Sequence, residues 1–418
     1  MLNKTNARTR DLLATLGGNF VELYDFTVYG YFAPVIARQF FPDDNATAGL
    51  VATFITFALG FLIRPLGAIL LGHIGDQHGR RHALLFSLWI MAAATLCMAL
   101  LPTYSQVGWY APAGLILLRM LQGLSMSGEV SGTLVMLGES AKQNREGLYA
   151  SLVHVSGLTG IMAGSVLAMV IHIALPEAII EVYGWRLAFL VGAAGCMIVA
   201  ILRYYLPSDT HNKPERLPIH LVMAQYKMPM VRVMAINLLN GVCFFLIFIY
   251  INVHWSEHLA LDRSLSLTIN SANMLLMILL IPLFGHLADQ YSAIHLLWRC
   301  ATAGLLLYIP LYWLINSPIL WQVMLAQTAF SILLAGFYGT SAVVCFRLLP
   351  EPVRMTGLAL GYNLAQGVFG SLTPVIALWL TTITQVPETP VVWLMATTIL
   401  ALLLIKDLAD HEPSGAVS

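Results

Sequence analysis

Twelve apolar runs dominate this sequence, and short polar connections separate most of them. A helix that crosses the hydrocarbon core of a bilayer needs about 20 apolar residues, and most of the runs reach or exceed that length. The runs cover residues 15–41, 47–73, 82–101, 109–138, 147–175, 184–206, 231–256, 264–288, 293–316, 318–347, 354–384 and 389–407. Only 10% of the chain is charged, whereas a soluble domain averages about 25%. The sequence therefore predicts an all-α membrane protein with twelve transmembrane helices.

Charge and cysteine content exclude several other classes of protein. The 21 basic and 21 acidic residues give a net charge of zero, so nothing indicates a nucleic-acid partner. The five cysteines all lie in apolar runs and form no CxxC or Cys/His pattern. We therefore expect neither a disulfide framework nor a metal site. We also expect no cleavable signal peptide, no cofactor and no enzymatic activity.

A polar motif between two apolar runs occurs twice. The first copy, GHIGDQHGRR, spans 72–81, and the second, GHLADQ, spans 285–290, which places the copies 213 residues apart. An offset of about half the chain indicates two related halves, as in alternating-access transporters. We predict two pseudo-symmetric six-helix bundles at 1–206 and 231–408, a cytoplasmic linker at 207–230 and a short cytoplasmic tail at 409–418.

Basic residues orient the predicted spans. Sixteen lysines and arginines fall on one side, including Arg203 at the end of span six, and only Arg38, Arg186 and Arg263 fall on the other. Cytoplasmic segments carry the excess of Lys and Arg in membrane proteins. Both termini are therefore predicted to be cytoplasmic.

Span one contains two acidic residues, Glu22 and Asp25. An ionisable residue inside a span is costly unless it is paired or hydrated, so it indicates function. Glu22, Asp25 and Tyr29 share one helical face by their spacing. Two carboxylates on one face repel each other, which favours proton uptake by one of them. The alternative is static pairing with Arg64 in span two or with helix ends.

Arg64 in span two is a third ionisable residue inside a predicted span, and span four contains two more, Arg119 and Glu129. Gln122 faces the same side as Arg119. A guanidinium at mid-depth can bind a carboxylate with two hydrogen bonds or stabilise the ionised form of a nearby acid. We expect proton coupling at Glu22, Asp25, Arg119 and Glu129. Static ion pairing is the competing interpretation for each.

Several further polar residues are candidates for lining a substrate site. They interrupt apolar runs, and ordinary buried polar packing is the alternative for all of them. Together with Arg119, the predicted substrate-binding residues are Tyr29, Arg64, Gln122, His154, Tyr250, Tyr362 and Asn363.

The repeated motif is suited to gating rather than to substrate binding. Its glycines allow a sharp turn and close helix contact, and its aspartate can accept a charged hydrogen bond. Such a cluster would hold the inner gate closed and release it when the halves rock. The predicted gating residues are Gly72, Asp76, Gly79, Arg80, Arg81, Glu139 and Asp289.

These motifs resemble those of a known family, the major facilitator superfamily. Gly72-x-x-x-Asp76-x-x-Gly79-Arg80-Arg81 resembles its cytoplasmic gate motif, and Arg119-x-x-Gln122-Gly123 resembles its span-four arginine motif. Segments 18–34, 64–67, 122–129 and 183–186 resemble the metabolite:proton symporter branch, which includes osmolyte, α-ketoglutarate, citrate and shikimate importers. The Tyr362-Asn363 pair and Gly370-x-x-x-Pro374 also fit its span eleven.

The resemblance implies proton-driven import of organic acids or zwitterions. It carries proton coupling over to Glu22, Asp25, Arg119 and Glu129. The antiporter motif of the superfamily, a Gly-Pro step in span five, is absent from 157–164, which favours symport. The second gate motif has Ala293 and Ile294 where its arginines would stand, which indicates an asymmetric inner gate.

We therefore expect a proton-coupled symporter that imports a small carboxylate-bearing metabolite or zwitterion across a bacterial inner membrane. Its partners are the substrate, protons and the lipid bilayer, and we expect a monomer. One alternative is a proton-coupled antiporter that exports an organic acid or siderophore. A further alternative is a non-transporting nutrient receptor.

Overall fold

The computed structural model describes residues 2–41, 46–142, 144–205, 218–258 and 263–411. Within those ranges the chain is helical and contains no β-strand. The prediction of an all-α protein is therefore confirmed for the described residues.

The chain groups into two compact units. The first consists of Met1–Met136 with Ser156–Leu221, and the second of Leu137–Val155 with Val222–Ser418. Residues 137–155, predicted to belong to the first bundle, thus group with the second unit. Most of the predicted linker, and the tail beyond 411, lie outside the described residues. The proposed boundaries of the two six-helix bundles stay a prediction.

Twelve α-helices cover the chain up to the start of the second half. They are α1 Leu2–Tyr31, α2 Ala33–Phe40, α3 Ala46–Leu62, α4 Arg64–His78, α5 Arg80–Leu100, α6 Tyr104–Val107, α7 Tyr110–Met126, α8 Glu129–Ser140, α9 Glu146–Ala174, α10 Glu177–Ile179, α11 Trp185–Tyr204 and α12 Pro218–Gln225. A π-helical segment, Ile180–Gly184, joins α10 to α11.

Eight α-helices cover the remainder of the described chain. They are α13 Lys227–Phe244, α14 Ile251–His258, α15 Arg263–Gln290, α16 Ala293–Ile315, α17 Leu320–Leu348, α18 Arg354–Tyr362, α19 Thr373–Thr384 and α20 Val391–His411. Two π-helical segments, Phe245–Tyr250 and Asn363–Gly370, and one 3₁₀ turn, Glu351–Val353, connect them.

Ten stretches of the described chain are long and apolar enough to cross a membrane. The predicted spans that do not meet this measure are the first and the fourth. Span one is interrupted by the polar residues around Glu22 and Asp25, and span four breaks between Met126 and Glu129 into α7 and α8. Both of these predicted spans contain buried charged residues, namely Glu22, Asp25, Arg119 and Glu129. A count of twelve spans, and their orientation, stay predictions.

The first copy of the repeated motif forms the expected sharp turn between two helices. Helix α4 ends at His78, and the Gly79 amide donates to the Gly75 carbonyl oxygen at 3.1 Å. Gly79 has a φ of +97°, and α5 begins at the next residue. A positive φ is readily adopted only by glycine, so this position requires it.

The second copy makes its turn differently. Ser292 stands at the N-cap of α16, and its side chain accepts a hydrogen bond from the His295 amide at 3.3 Å. A serine N-cap satisfies one of the unpaired amides of the first turn. Ala293 and Ile294, which replace the arginines of the first copy, are the first two residues of α16.

Close packing of α3 on α7 fixes the position of the span-four arginine. A Cβ atom added at Gly123 would overlap the carbonyl oxygen of Gly60. The two backbones therefore touch at this point, which small residues allow in membrane helices. Arg119 lies one turn before Gly123 on the same helix, so this contact sets the depth of its guanidinium within the first unit.

We predict that Gly123→Ala destabilises the protein, because the new methyl group would push α7 away from α3. Overpacking of this kind costs about 1–3 kcal/mol. The matched control is Gly30→Ala, since a Cβ at Gly30 meets no atom within 4 Å. Thermal unfolding of the purified variants provides the measurement. Equal melting temperatures for Gly123→Ala and Gly30→Ala would contradict this packing.

Candidate functional site

Four buried side chains from three helices form one hydrogen-bonded cluster in the first unit. Asp25 of α1, Thr95 of α5, and Arg119 and Gln122 of α7 are each 0% exposed. We call this cluster the Asp25 network. It brings together three of the residues predicted from the sequence and adds Thr95.

Gln122 is the centre of the Asp25 network. Its Nε2 donates to Asp25 Oδ2 and to Thr95 Oγ1, both at 2.8 Å, and its Oε1 accepts from Arg119 Nη1 at 2.8 Å. Thr95 Oγ1 also donates to Asp25 Oδ1 at 3.2 Å. The direct contact of Arg119 Nη1 with Asp25 Oδ2 is longer, at 3.4 Å. The acid and the guanidinium are therefore joined mainly through the amide of Gln122.

The Arg119 guanidinium lies among aromatic rings. Its Cζ is 3.6 Å from the ring centroid of Tyr29, 5.1 Å from that of Phe26 and 5.8 Å from that of Phe57. The Tyr29 hydroxyl donates to the Thr53 carbonyl oxygen at 3.1 Å. Arg119 Nε and Nη2 have no hydrogen-bond partner among the described residues. Stacking thus holds the planar group in place while two of its nitrogens keep unused donors.

Glu22 is buried one helical turn before Asp25. Neither of its carboxyl oxygens has a hydrogen-bond partner among the residues that the structure describes. It lies within electrostatic range of Glu129, Arg203 and Arg64. Burying an ionised carboxylate without a hydrogen bond is much costlier than burying the neutral acid. This environment therefore suits a carboxyl group that carries a proton.

Glu129 has the opposite environment, because it forms a two-pronged ion pair with Arg203 of α11. Both side chains are 0% exposed. Arg203 Nη1 donates to Glu129 Oε2 at 2.8 Å, and Nη2 donates to Oε1. Arg203 also donates to the carbonyl oxygens of Ala14 and Thr15, at 2.8 and 2.9 Å. Thr133 Oγ1 adds a bond to Glu129 Oε1 at 3.2 Å.

This Glu129–Arg203 pair depends on a glycine. A Cβ added at Gly18 of α1 would overlap the side chains of both partners. With every charged nitrogen of Arg203 hydrogen-bonded, the pair has the satisfied geometry of a structural ion pair. This geometry favours the static alternative for Glu129.

Arg64 lies beside the Asp25 network. Its Cζ is 4.0 Å from the ring centroid of Phe61 and 5.0 Å from that of Phe26, and its Nη2 is 3.1 Å from Met126 Sδ. Arg119 contacts the same Phe26 ring at 5.1 Å. Arg64 and Arg119 thus share one aromatic side chain, whose face stabilises positive charge.

The other four predicted substrate-binding residues lie in the second unit. The His154 ring packs edge-on against Tyr338 at 4.4 Å. The Tyr250 hydroxyl donates to Thr381 Oγ1 at 3.4 Å. Asn363 Nδ2 donates to the Ala359 carbonyl oxygen at 2.8 Å, and Tyr362 precedes it at the end of α18. These are neutral hydrogen-bonding groups.

A second set of polar residues in the second unit was not predicted. Asn240 Nδ2 donates to Ser341 Oγ at 2.9 Å, and Asn237, one turn earlier on α13, donates to the Val233 carbonyl oxygen at 2.9 Å. The Asn240 Oδ1 atom has no hydrogen-bond partner among the described residues. Two asparagines three residues apart in an apolar run share a helical face, which is the signal that could have identified them.

Asp289 of the second gate motif caps a helix. Its Oδ1 accepts from the Gly147 amide at 2.6 Å and its Oδ2 from the Leu148 amide at 2.9 Å. A carboxylate at a helix N-terminus satisfies free amides and interacts favourably with the helix dipole. A Cβ at Gly147 would overlap the Gly285 carbonyl oxygen. The end of α15 and the start of α9 are therefore in backbone contact.

Two ion pairs surround this cap. Arg347 at the end of α17 donates to Glu146 Oε2 at 2.9 Å, and Arg354 at the start of α18 donates to Glu139 Oε1 at 2.9 Å. Asp289, Glu139 and Glu146 thus join the segment between α8 and α9 to α15, α17 and α18. All of these residues belong to the second unit.

The first gate motif lies in the first unit. Gly72, Asp76 and Arg80 are buried, with Arg80 only 2% exposed. Arg81 donates to the Tyr204 carbonyl oxygen, and its Cζ is 5.6 Å from the Tyr204 ring centroid. The arginines of this motif therefore pack against the protein interior and α11.

A family model described as the Major Facilitator Superfamily matches residues 15–374. This match covers well over half of the chain. The chain belongs to the major facilitator superfamily. It is therefore a multi-pass membrane transporter, as its gate and span-four motifs indicated.

Curated relatives match nearly the whole length of this superfamily member. A citrate-proton symporter from Klebsiella pneumoniae is 31% identical over 410 residues, which cover 96% of this chain and 92% of the relative. A putative proline/betaine transporter from Staphylococcus aureus (strain COL) is 30% identical over 407 residues, which cover 95% of this chain and 87% of the relative.

A solved structure has the same fold. The proton:xylose symporter XylE, bound to 6-bromo-6-deoxy-D-glucose, superposes with a TM-score of 0.76 at 14% sequence identity. The superposition covers 97% of this chain and 96% of XylE. At this low identity the likeness shows the fold of the superfamily and does not extend to the substrate.

Two side chains of this transporter's charge clusters were not predicted as site residues. Arg203 was assigned to a cytoplasmic segment, but it is fully buried against Glu129. Its position at the very end of an apolar run gave no signal for a partner 74 residues away.

The signal for Thr95 was its spacing from a second hydroxyl residue of α5. Thr95 lies eight residues after Ser87, and the Ser87 hydroxyl contacts Glu129 Oε2 at 3.4 Å. That spacing places both hydroxyls on one face of α5.

We predict that Arg203→Gln strongly destabilises this transporter, because Glu129 would keep a buried charge without a counter-charge. Breaking a buried pair in this way costs about 3–5 kcal/mol. The double variant Glu129→Gln/Arg203→Gln should recover part of the loss, because it removes both charges. Thermal unfolding in detergent measures these differences.

The control for this cycle is Arg38→Gln. Arg38 pairs with Glu181 at the surface, where its side chain is 57% exposed. Loss of this ion pair should lower the free energy of unfolding by roughly 0–1 kcal/mol. If the double variant were no more stable than Arg203→Gln, the buried pair would not be the source of the stability.

Proposed function

We propose that this transporter is a proton-coupled symporter that imports a small carboxylate-bearing metabolite or zwitterion by alternating access. We place it in a bacterial inner membrane, as a monomer. The observation that carries the proposal is the Asp25 network, in which an acid and a guanidinium are buried together and joined through Gln122. A buried acid–arginine couple in a transporter is suited to binding a proton and a substrate anion together, because protonation of the acid leaves the guanidinium available to the anion.

The curated relatives support a substrate of this class. One relative is named for citrate and protons and another for proline and betaine. Citrate is a tricarboxylate, and proline and betaine are zwitterions with one carboxylate each. The shared chemical group is the carboxylate, which a guanidinium binds with two parallel hydrogen bonds.

In this proposal Arg119 binds the substrate carboxylate. Its Nε and Nη2 lack partners among the described residues, and these two nitrogens lie on one edge of the guanidinium. The ring of Tyr29 at 3.6 Å keeps the group oriented. Because Arg119 is fully buried, the substrate reaches it only after the conformational change that opens the site.

Protonation of Asp25 would release Arg119 for this task. While Asp25 is ionised, it accepts hydrogen bonds from Gln122 and Thr95 and attracts the guanidinium at 3.4 Å. A neutral carboxyl group attracts a guanidinium much more weakly. A proton on Asp25 and a carboxylate on Arg119 are then bound together, and this is the coupling that symport requires.

Glu22 would hold a second proton one turn away from Asp25. Its buried carboxyl group without hydrogen-bond partners is suited to the neutral form. Glu129, held by Arg203, would serve as an anchor that keeps α1, α8 and α11 together around these acids.

The other predicted polar residues are proposed substrate-binding residues of their own units. His154, Tyr250, Tyr362 and Asn363 offer neutral donors and acceptors in the second unit, and Tyr29, Gln122 and Arg64 accompany Arg119 in the first. Neutral groups fit a ligand whose net charge is already balanced by Arg119. The gate residues Gly72, Asp76, Gly79, Arg80, Arg81, Glu139 and Asp289 would break and remake their contacts as the transporter cycles.

We predict that Asp25→Asn and Glu22→Gln abolish the acceleration of uptake by an inward proton gradient. Proteoliposome uptake of radiolabelled citrate, proline or betaine is the measurement, with the outside made acidic. Coupling free energies of about 1–3 kcal/mol correspond to a roughly 5–150-fold effect. Substrate exchange without a gradient should persist, because exchange needs no net proton movement.

Glu177→Gln, which removes an exposed carboxylate on α10, is the control. It should keep the wild-type response to the gradient. A full wild-type response in both Asp25→Asn and Glu22→Gln would contradict the proton assignment. Efflux driven by an inward proton gradient in the wild type would instead identify an antiporter.

A further inference from the structure

A cavity of about 380 Å³ opens in the second unit, and Arg347, the partner of Glu146, is one of its lining residues. Volumes of roughly 300–1,000 Å³ are typical of ligand pockets. Four helices contribute to it, namely α13, α16, α17 and α20. The lining residues are Arg232, Ala293, Ile294, Val344, Arg347, Leu348, Asp407 and Leu408.

The cavity lies at one end of these helices. Arg232 is near the start of α13, and Ala293 and Ile294 begin α16. Arg347 and Asp407 are near the ends of α17 and α20. In the predicted orientation this is the cytoplasmic end of every one of the four helices, where the inner-leaflet headgroups lie.

The charge around the cavity favours an anion. Arg232 Nη2 is 3.7 Å from Asp407 Oδ2, and the Asp407 side chain is 73% exposed, so this pair is weak. Arg347 supplies a second guanidinium. The first residues of α16, Ala293 and Ile294, add the positive end of a helix dipole. Two arginines and a helix start thus converge on one space.

The two residues that stand in place of the arginines in the second gate motif line the cavity. In the first copy Arg80 is packed into the protein interior, 2% exposed. At the corresponding positions of the second copy, Ala293 and Ile294 have short or apolar side chains, and both line the cavity. The same substitution that removes two cations from the gate therefore leaves room for a ligand.

We propose that this cavity binds the phosphate headgroup of an anionic phospholipid. Arg232, Arg347 and the start of α16 would hold the phosphate, and Val344, Leu348 and Leu408 would contact the glycerol and the first methylenes of the acyl chains. Basic pockets between membrane helices at the inner surface suit such headgroups. The combination of cationic and apolar walls favours a lipid over a free anion.

Lipid in this site acts on the inner gate through Arg347. The same guanidinium donates to Glu146 at 2.9 Å. Glu146 is the first residue of α9, whose next two amides bind the Asp289 carboxylate. A phosphate that takes Arg347 away from Glu146 weakens one of the contacts that hold the start of α9.

Native mass spectrometry of the full-length protein tests the proposal. The wild type should retain phosphatidylglycerol under activation that removes phosphatidylcholine. Arg232→Gln and Arg347→Gln should each weaken phosphatidylglycerol retention about fivefold, since one basic side chain near the anionic surface is lost. Because the Arg347 side chain is 45% exposed, Arg347→Gln should fold. This variant therefore tests the site even if Arg232→Gln does not fold.

The matched control is Arg299→Gln, because Arg299 is an exposed arginine of α16 that does not line the cavity. It should retain phosphatidylglycerol as the wild type does. Equal retention of the two lipids by the wild type, or equal losses in all three variants, would overturn the proposal. Displacement of phosphatidylglycerol by inorganic phosphate at similar concentration would identify a free-anion site and overturn the lipid assignment.

Discussion

The cost of burying charge in an apolar helical bundle governs the first unit of this protein. Glu22, Asp25 and Glu129 are all buried there at 0% exposed, and each has a different set of partners. Glu129 is saturated by Arg203 and backbone carbonyl groups. Asp25 is held loosely to Arg119 through Gln122. Glu22 has no hydrogen-bond partner among the described residues, which suits a neutral carboxyl group. Full pairing suits Glu129 to a structural role, whereas the looser contacts of Asp25 and Glu22 suit them to binding and releasing protons.

Helix packing makes these environments possible. Gly18 leaves room for the Glu129–Arg203 pair, and Gly123 brings α7 against α3 so that Arg119 reaches the rings around it. The second unit has a different distribution of polar and charged side chains. Its predicted substrate-binding groups are neutral, and one group of its charged side chains, Glu139, Glu146, Asp289, Arg347 and Arg354, surrounds the start of α9. The two halves share a repeated motif but differ in the charges that they bury. The first unit buries charged side chains that have partners in its own helices, whereas the predicted substrate-binding residues of the second unit are neutral.

Much of this was predictable from the sequence because hydropathy is a local property. The all-α fold, the turn at Gly79 and the presence of buried charge in α1 and α7 follow from apolar runs and from the residues that interrupt them. The partners did not follow. Arg203 meets Glu129 only through tertiary packing, and Asp289 meets the start of α9 across 142 residues. A single sequence carries no signal for such pairings, and the break between α7 and α8 was equally unmarked.

We infer that Glu22 is a neutral, proton-carrying carboxyl group and that Glu129, paired with Arg203, is ionised. Infrared difference spectroscopy of the purified protein measures this difference, because a protonated carboxylic acid has a C=O stretching band that a carboxylate lacks. We expect such a band at neutral pH in the wild type, absent from Glu22→Gln and retained in Glu129→Gln. A wild-type spectrum without the band, or a band that disappears in Glu129→Gln and persists in Glu22→Gln, would show that Glu22 does not carry the proton.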